Sequence, residues 1–295
     1  MPSLKEYRDR IASVKSTRKI TSAMKMVAAS KLRRAQSKAE ASHPYSTRMS
    51  EMLKHLISNI DISEDAPVLM TGTGKSEVHL LVVVTSDRGL CAGFNSSVVR
   101  MANLKIRNLL SEGKKVKIIC IGRKGHDVIR REFADNIIQF YNHLGHKGVE
   151  FSDALEVSEN ILTRLENEEF DVCSVLYNRF ISVINQEPTT QQLIPFEKDN
   201  ENQEDNEDKS GSLYIFEPSE GVILEDLLPR NFSVQIYKAL LDSAAGEQAA
   251  RMTAMDNATN NAGDMIDGLT LSYNRARQAY ITKELIEIIS GAEAV

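Results

Sequence analysis

The chain has 295 residues, 36 of them basic and 41 acidic, for a formal net charge of −5, with three cysteines and no tryptophan. That length allows one or two domains, and the three cysteines, far apart and with no C-x-x-C spacing, argue for a reducing compartment and against a disulfide framework or a structural zinc site. No stretch approaches the roughly 20 apolar residues needed to cross a bilayer, and the N-terminus lacks the apolar core of a signal peptide. The sequence therefore predicts a chain of cytoplasmic type, associated with a membrane only through a partner.

The first predicted element is a very long helix. No glycine precedes Gly72, and the only prolines up to Asn59 are Pro2 and Pro44. A helix from about Leu4 to Asn59 is expected, roughly 80 Å long at about 1.5 Å per residue. Leu4, Tyr7, Ile11 and Val14 have the alternating three- and four-residue spacing of a coiled-coil seam. The same register then meets Arg18, Thr21 and Lys25, while Ile20, Met24 and Val27 move the apolar stripe to a neighbouring face, before Ala28, Leu32 and Ala35 resume it. Two stripes imply two contact surfaces, and Lys31, Arg33, Arg34 and Lys38 add a basic patch that on an arbitrary helix would be a solvated face. Residues 1–58 hold 13 basic and 4 acidic residues.

Between residues 60 and 78 lies T-G-T-G-K-S, Thr71 to Ser76. It ends like a phosphate-binding loop, but the glycine that such a loop needs five residues before Gly74 is Leu69, and the string precedes a strand instead of following one. A linker is the expected structure. The middle of the chain then alternates as an α/β domain does. Strands are predicted at Val78–Thr85, Val116–Ile121, Ile137–Phe140 and Val172–Tyr177, with helices at Asn95–Leu110, His126–Phe133 and Ser152–Glu168. A turn at Asn178 and Arg179 leads to a further strand at Ile181–Asn185, so the sheet is expected to be mainly parallel with one antiparallel edge.

Within this region S-D-R-G-L-C-A-G-F-N, Ser86 to Asn95, occupies the place where a Rossmann protein binds pyrophosphate. Gly89 and Gly93 do not have the G-x-G-x-x-G order, and no acidic residue ends the second strand. A tight crossover is expected. Cys91 beside Arg88 has no histidine placed near it by sequence, which argues against a nucleophile. The six histidines, His143 and His146 included, show no metal-binding spacing, and Glu168–Glu169 is a surface pair at a helix end.

Residues 199–208 carry six acids and no apolar residue, within a segment at 197–210 that is expected to be a disordered insertion. Leu213–Phe216 has strand character, Pro218 and Pro229 punctuate the passage to the last helix, and Asn231 or Ser233 are plausible N-caps. That helix is predicted from Phe232 to Ser290. Starting at Leu241, alternating steps of four and three reach Ala245, Gln248, Met252, Met255, Thr259, Ala262, Ile266, Leu269, Tyr273, Ala276 and Tyr280. This sustained heptad implies a left-handed supercoil. Gly246, Gly263 and Gly268 sit inside it, each costing about 1 kcal/mol relative to Ala. Residues 217–295 hold 6 basic and 12 acidic residues, so the two ends are opposite in charge and suited to pair. The division expected is a coiled coil of residues 1–60 and 218–295 around a Rossmann-like α/β domain at 76–217.

Three strings then carry a resemblance. Ile11–Ala35, I-A-S-V-K-S-T-R-K-I-T-S-A-M-K-M-V-A-A-S-K-L-R-R-A, the loop S-D-R-G-L-C-A-G-F-N, and the terminal I-T-K-E-L-I-E-I-I-S-G-A-E-A together resemble the gamma subunit of F-type ATP synthases, in order and over essentially the whole chain. Ala92 and Phe94 stand where the family often has glycine and leucine. The acidic insertion is not a general family feature and, having no cysteine, implies no thiol switch of the chloroplast kind. The resemblance implies a central rotor shaft without bond chemistry or cofactor. Its terminal helices would pair antiparallel inside the ring of alpha and beta subunits, and its central domain would meet the c-subunit ring and the epsilon subunit, on the cytoplasmic face of a bacterial inner membrane. For such a shaft Met24, Lys25, Arg33, Arg34, Gln248 and Arg251 are the candidate contacts to the surrounding head. Leu285, Ile288 and Ile289 are candidates for a hydrophobic bearing at the tip. A nucleotide-dependent enzyme lacks its glycine fingerprint here. A nucleic-acid-binding coiled coil fits the basic first helix, but the acidic partner helix would repel phosphate.

Overall fold

The computed structural model describes residues 3–59, 68–144, 148–196 and 220–293. They fall into two compact units, one made of the residues up to Ser30 with those from Arg251 onward, the other of Lys31–Ala250. Two helices contribute to both: α1, Leu4–Asn59, and α6, Glu220–Glu293. The acidic insertion, Leu213–Phe216 and Pro218 lie outside the described residues.

The larger unit is built on a five-stranded sheet. Strands β1 (Val78–Val84), β2 (Lys115–Ile121), β3 (Ile137–Tyr141), β4 (Val172–Phe180) and β5 (Gln186–Ile194) lie in the order β3-β2-β1-β4-β5. All neighbours are parallel except β4 and β5. β1 reads V-H-L-L-V-V-V, and its last five residues are all buried, as a parallel strand covered on both faces requires. One cover is α3 (Phe94–Ser111) with α4 (Arg123–Phe133), whose Val98, Ala102, Ile106 and Ile129 pack on Leu81, Val83, Ile118 and Leu176. The other is α5 (Phe151–Glu166) with the early turns of α6, whose Val157, Ile161, Phe232 and Ile236 pack on Leu80, Val82, Ile119 and Val175. A four-residue turn of helix, α2 (Val68–Thr71), precedes β1.

Two boundaries depart from the sequence reading, each for a physical reason. The second strand of the hairpin is Gln186–Ile194, not Ile181–Asn185. Those five residues form the turn, closed by the N–H groups of Ile181 and Ser182 donating to the carbonyl of Asn185 at 3.3 and 3.0 Å, and Ile184 is exposed. The true strand, Q-E-P-T-T-Q-Q-L-I, is a polar edge strand that tolerates Pro188 because only one of its edges must donate to β4.

The second departure is α6, which begins at Glu220 and runs through Pro229, so Asn231 and Ser233 are interior residues, not caps. Leu224, Leu228, Phe232, Ile236 and Leu240 form an unbroken buried stripe across the proline. Leu224 and Leu228 pack with Met49, Leu53 and Met70. Burying two leucines at roughly 1.5–3 kcal/mol each offsets the ~3 kcal/mol of an interior proline. The side chains of both supposed caps are used locally: Ser233 Oγ lies 3.0 Å from the Pro229 carbonyl oxygen and 2.8 Å from Ser158 Oγ, and Asn231 Oδ1 accepts from Gln235 Nε2 at 2.6 Å.

In the smaller unit α1 and α6 pair antiparallel. Arg8 meets Tyr273, Thr21 meets Thr259 and Lys25 meets Asp256, one number falling as the other rises. On α6 the predicted seam holds: Met255, Ala262 and Ile266 are buried, and Met252, Thr259, Leu269, Tyr273 and Ala276 are half-buried. Tyr280, its last position, is exposed.

Candidate functional site

In open α/β sheets a ligand binds at the carboxyl ends of the strands where the strand order reverses. Here that point lies between β1 and β4, and protein fills it. Asn178, fully buried at the end of β4, donates from Nδ2 to the Phe94 carbonyl at 2.8 Å and accepts from Ser97 Oγ at 3.2 Å. Cys91 and Phe94 pack against Ala250 of α6. A Cβ added at Gly246 would sit 3.0 Å from the Phe94 ring and 3.3 Å from Gln186 Cγ. Gly246 therefore lets α6 close over the crevice, which is a packing reason for a residue that otherwise weakens a helix.

The loop Ser86–Asn95 is the tight crossover expected. Asn95 Oδ1 accepts from the Ser86 N–H at 2.9 Å, Asn95 Nδ2 lies 3.2 Å from Cys91 Sγ, and Asp87 accepts from the N–H groups of Arg123 and His143 at 3.0 and 3.1 Å. The start of α4, where a phosphate would be drawn by exposed N–H groups, thus already has a carboxylate. Gly122 beside it has φ +90°, and a Cβ there would come within 2.1 Å of the Thr85 carbonyl oxygen.

The string Thr71–Ser76 is likewise a fastened turn. Thr73 Oγ1 donates to Asp171 Oδ1 at 2.6 Å, and the N–H groups of Glu77 and Val78 both donate to Oδ2 at 2.9 Å. Burial is the largest single influence on Asp171 and pushes its carboxyl up, but those three donors and the nearby Lys75 charge together hold it below the usual carboxylate range. These N–H groups point at a carboxylate of the chain itself, so they are not a phosphate cradle.

Thiol and metal chemistry find no support among the described residues. Cys91, Cys120 and Cys173 are buried thiols outside any disulfide; burial pushes the Cys120 thiol up to about 12 and raises that of Cys173 as well. No group of three metal-ligating side chains converges. His126 instead stacks on Phe140, with ring centroids 4.1 Å apart.

What remains is the surface of the long helices. The interval Arg18–Lys25 of α1 does not rotate the seam as the apolar stripe suggested; it keeps register and becomes polar. Thr21, 9% exposed, lies 2.7 Å from Thr259 through its hydroxyl, and Lys25 Nζ lies 2.6 Å from Asp256 Oδ1. Of the displaced stripe, Ile20 and Val27 face outward, 60% and 57% exposed with Met26 beside them, while Met24 is half-buried.

The sequence candidates separate accordingly. Arg33 and Arg34 are exposed; Met24, Lys25 and Gln248 are half-buried; Arg251 is buried. The opposed pairs set Leu4, the first residue of α1, against Ala276 and Arg277. From Arg277 to Ser290 every residue is exposed. Leu285, Ile288 and Ile289 lie on this overhang with Ile281 and Ile286, and Ile288 is 63% exposed. Asp256 escaped sequence reading as a contact, and Thr259, read as a seam position, was not seen as a hydrogen-bonding partner, because both roles appear only once the register of the partner helix is known.

A family model described as ATP synthase matches residues 3–295. The ATP synthase gamma chain of Rhizobium etli is 56% identical over 295 residues, covering 100% of both chains, and that of Jannaschia sp. is 55% identical over 297 residues with the same coverage. The chain belongs to the ATP synthase gamma-chain family. As a gamma chain it is a non-catalytic stalk subunit, in keeping with a crevice filled by its own helix. The central stalk and c-ring structure of the Tetrahymena thermophila mitochondrial ATP synthase superposes with a TM-score of 0.59 at 26% identity, covering 81% of this gamma chain and 99% of that one. A chain of the Euglena gracilis mitochondrial OSCP/F1/c-ring structure gives 0.67 at 20% identity, covering 99% and 94%, and shares the fold.

Proposed function

We propose that the paired ends of α1 and α6 act as the shaft that couples rotation of the c ring to ATP synthesis or hydrolysis at sites on the beta subunits. In this reading residues 1–60 and 218–295 are the shaft, and the Rossmann-like region at 76–217 meets the c ring and the epsilon subunit. The observation that carries it is the overhang. Residues 277–290 continue α6 beyond the start of α1, exposed all round and tipped with apolar side chains, a surface that an isolated soluble helix does not keep without a partner. Leu285, Ile288 and Ile289 are the proposed bearing residues. Met24, Lys25, Arg33, Arg34, Gln248 and Arg251 are the proposed contacts to the alpha and beta subunits, with Arg33 and Arg34 supplying outward positive charge and the exposed Ile20 and Val27 an apolar strip.

Residence at the cytoplasmic face of a bacterial plasma membrane belongs to the same proposal. No described helix is long and apolar enough to cross a membrane, so the chain would be held there through the c ring. Inverted membrane vesicles carrying Arg33→Glu with Arg34→Glu test the coupling. ATP synthesis should fall several-fold while the assembled complex still contains the chain. Unchanged synthesis would remove the force-transmitting role from these two residues, and failure of the chain to co-purify with alpha, beta and epsilon subunits would remove the shaft itself.

A further inference from the structure

We propose that Thr21 and Lys25 of α1, with Thr259 and Asp256 of α6, form a polar lock that sets the register of the antiparallel pair and thereby how far the α6 tip projects. The projection of the tip matters only if the shaft reading above holds; the lock itself stands without it.

Met49 and Leu53 of α1 already meet Leu224 and Leu228 of α6 in the larger unit, but the seam of the smaller unit holds its own register weakly. On α6 it consists of Met255, Thr259, Ala262, Ile266 and Leu269, then Tyr273 and Ala276. The small and flexible members allow close approach but distinguish poorly between one heptad and the next, because the pattern repeats. On α1 the seam loses its apolar side chains at Arg18, Thr21 and Lys25. At that height the two helices make two specific bonds within one heptad, Thr21 to Thr259 at 2.7 Å and Lys25 to Asp256 at 2.6 Å. Arg8 adds a third farther along, its Nε 3.1 Å from the Tyr273 hydroxyl and its guanidinium 5.7 Å from the ring centroid.

Sliding α6 by one heptad keeps the apolar pattern and breaks both bonds of the lock, whereas Arg8 would meet Tyr280 in one direction and Ile266 in the other and so opposes only one of the two slips. In one direction Lys25 would face Gly263 and Thr21 would face Ile266; in the other they would face Ala249 and Met252. Neither shift places a carboxylate at the position facing Lys25. The ion pair is half-exposed on both sides, so its strength is modest; its value is selectivity, the best-attested use of polar groups in a seam. A one-heptad slip would move the overhang by about 10 Å along the axis.

Cysteine pairs in the full chain read the register directly, and the three native thiols are buried. Ile11→Cys with Leu269→Cys reports the observed register, and Ile11→Cys with Ala276→Cys or Ala262→Cys reports a slip in either direction. With the lock intact, mild oxidation should cross-link only the first pair. Adding Thr21→Val and Lys25→Asp should raise one of the slipped cross-links several-fold at the expense of the native one. Exchanging the charges, Lys25→Asp with Asp256→Lys on an otherwise native seam, should restore the native pattern, which a merely destabilising substitution would not do. If Lys25→Asp prevents folding, Thr21→Val with Asp256→Asn gives the same reading with a milder change. Native-only cross-linking in a folded lock-deficient chain, or no rescue by the exchange, overturns the lock. A slipped register with undiminished ATP synthesis in vesicles leaves the lock standing and overturns the importance given to tip projection.

Discussion

Two aspartates respond to pH in opposite senses. Asp171 accepts three short hydrogen bonds and its carboxyl is held down. Its stabilising contribution is therefore present above the unfolded carboxylate pKa of about 3.9 and is lost as the pH falls through its lower folded value. Asp171→Asn should cost about 2–3 kcal/mol at neutral pH, the scale of hydrogen bonds to a charged acceptor. That difference should shrink in urea titrations taken toward pH 3. Asp242 on α6 is the reverse. Burial, the largest influence, outweighs the nearby charges of Lys238 and Arg179 and pushes its carboxyl up to about 6. The folded chain then favours the protonated form, so the stability linked to Asp242 is full below pH 4 and is lost as the pH rises through 6. Asp242→Asn should leave the denaturation midpoint unchanged near pH 4 and raise it above pH 6. Equal effects at both pH values would refute the assignment.

At the scale of elements, legibility followed how continuous the apolar signal was. β1 to β4 and α3 to α5 were readable because V-H-L-L-V-V-V or K-I-I-C-I can be nothing but buried strand, and the intervening helices alternate with them. β5 was not, since an edge strand needs few apolar residues and Ile181 and Ile184 in the turn mimic the missing signal. The start of α6 was hidden by Pro229, whose local effect is real but smaller than the packing of Leu224 and Leu228. The polar interval of α1 was seen, but its meaning was not: a lone threonine and lysine in a seam look like a break until Thr259 and Asp256 stand opposite.

The glycines of α6 make the same point as a measurement. Gly246 is required by contact, whereas an added Cβ at Gly263 or Gly268 meets nothing within 4 Å. Gly268→Ala should therefore raise the stability of the isolated chain by up to about 1 kcal/mol, while Gly246→Ala should lower it as the Phe94 ring is displaced. Both changes are read from thermal midpoints. A loss of stability in Gly268→Ala would mean that α6 is not a plain helix there.

For the whole molecule, the decisive asymmetry lies between the parts that hold the chain together and the parts that face outward. The sheet and its four covering helices satisfy one another, and within the smaller unit the Thr21–Thr259 and Lys25–Asp256 pairs do the same, so each has a cost when altered in isolation. The overhang from Arg277 to Ser290 has no such internal partner among the described residues. A chain ended after Tyr280 should thus keep the denaturation midpoint of the full chain, within about 0.5 kcal/mol, as expected for change at surface positions. Any deficit of the shortened chain should appear only in the assembled ATP synthase, as weaker retention of the subunit or lower coupled synthesis. Were the isolated chain to lose several kcal/mol instead, residues 281–290 would be part of the fold, and the bearing assigned to Leu285, Ile288 and Ile289 would have to be given up.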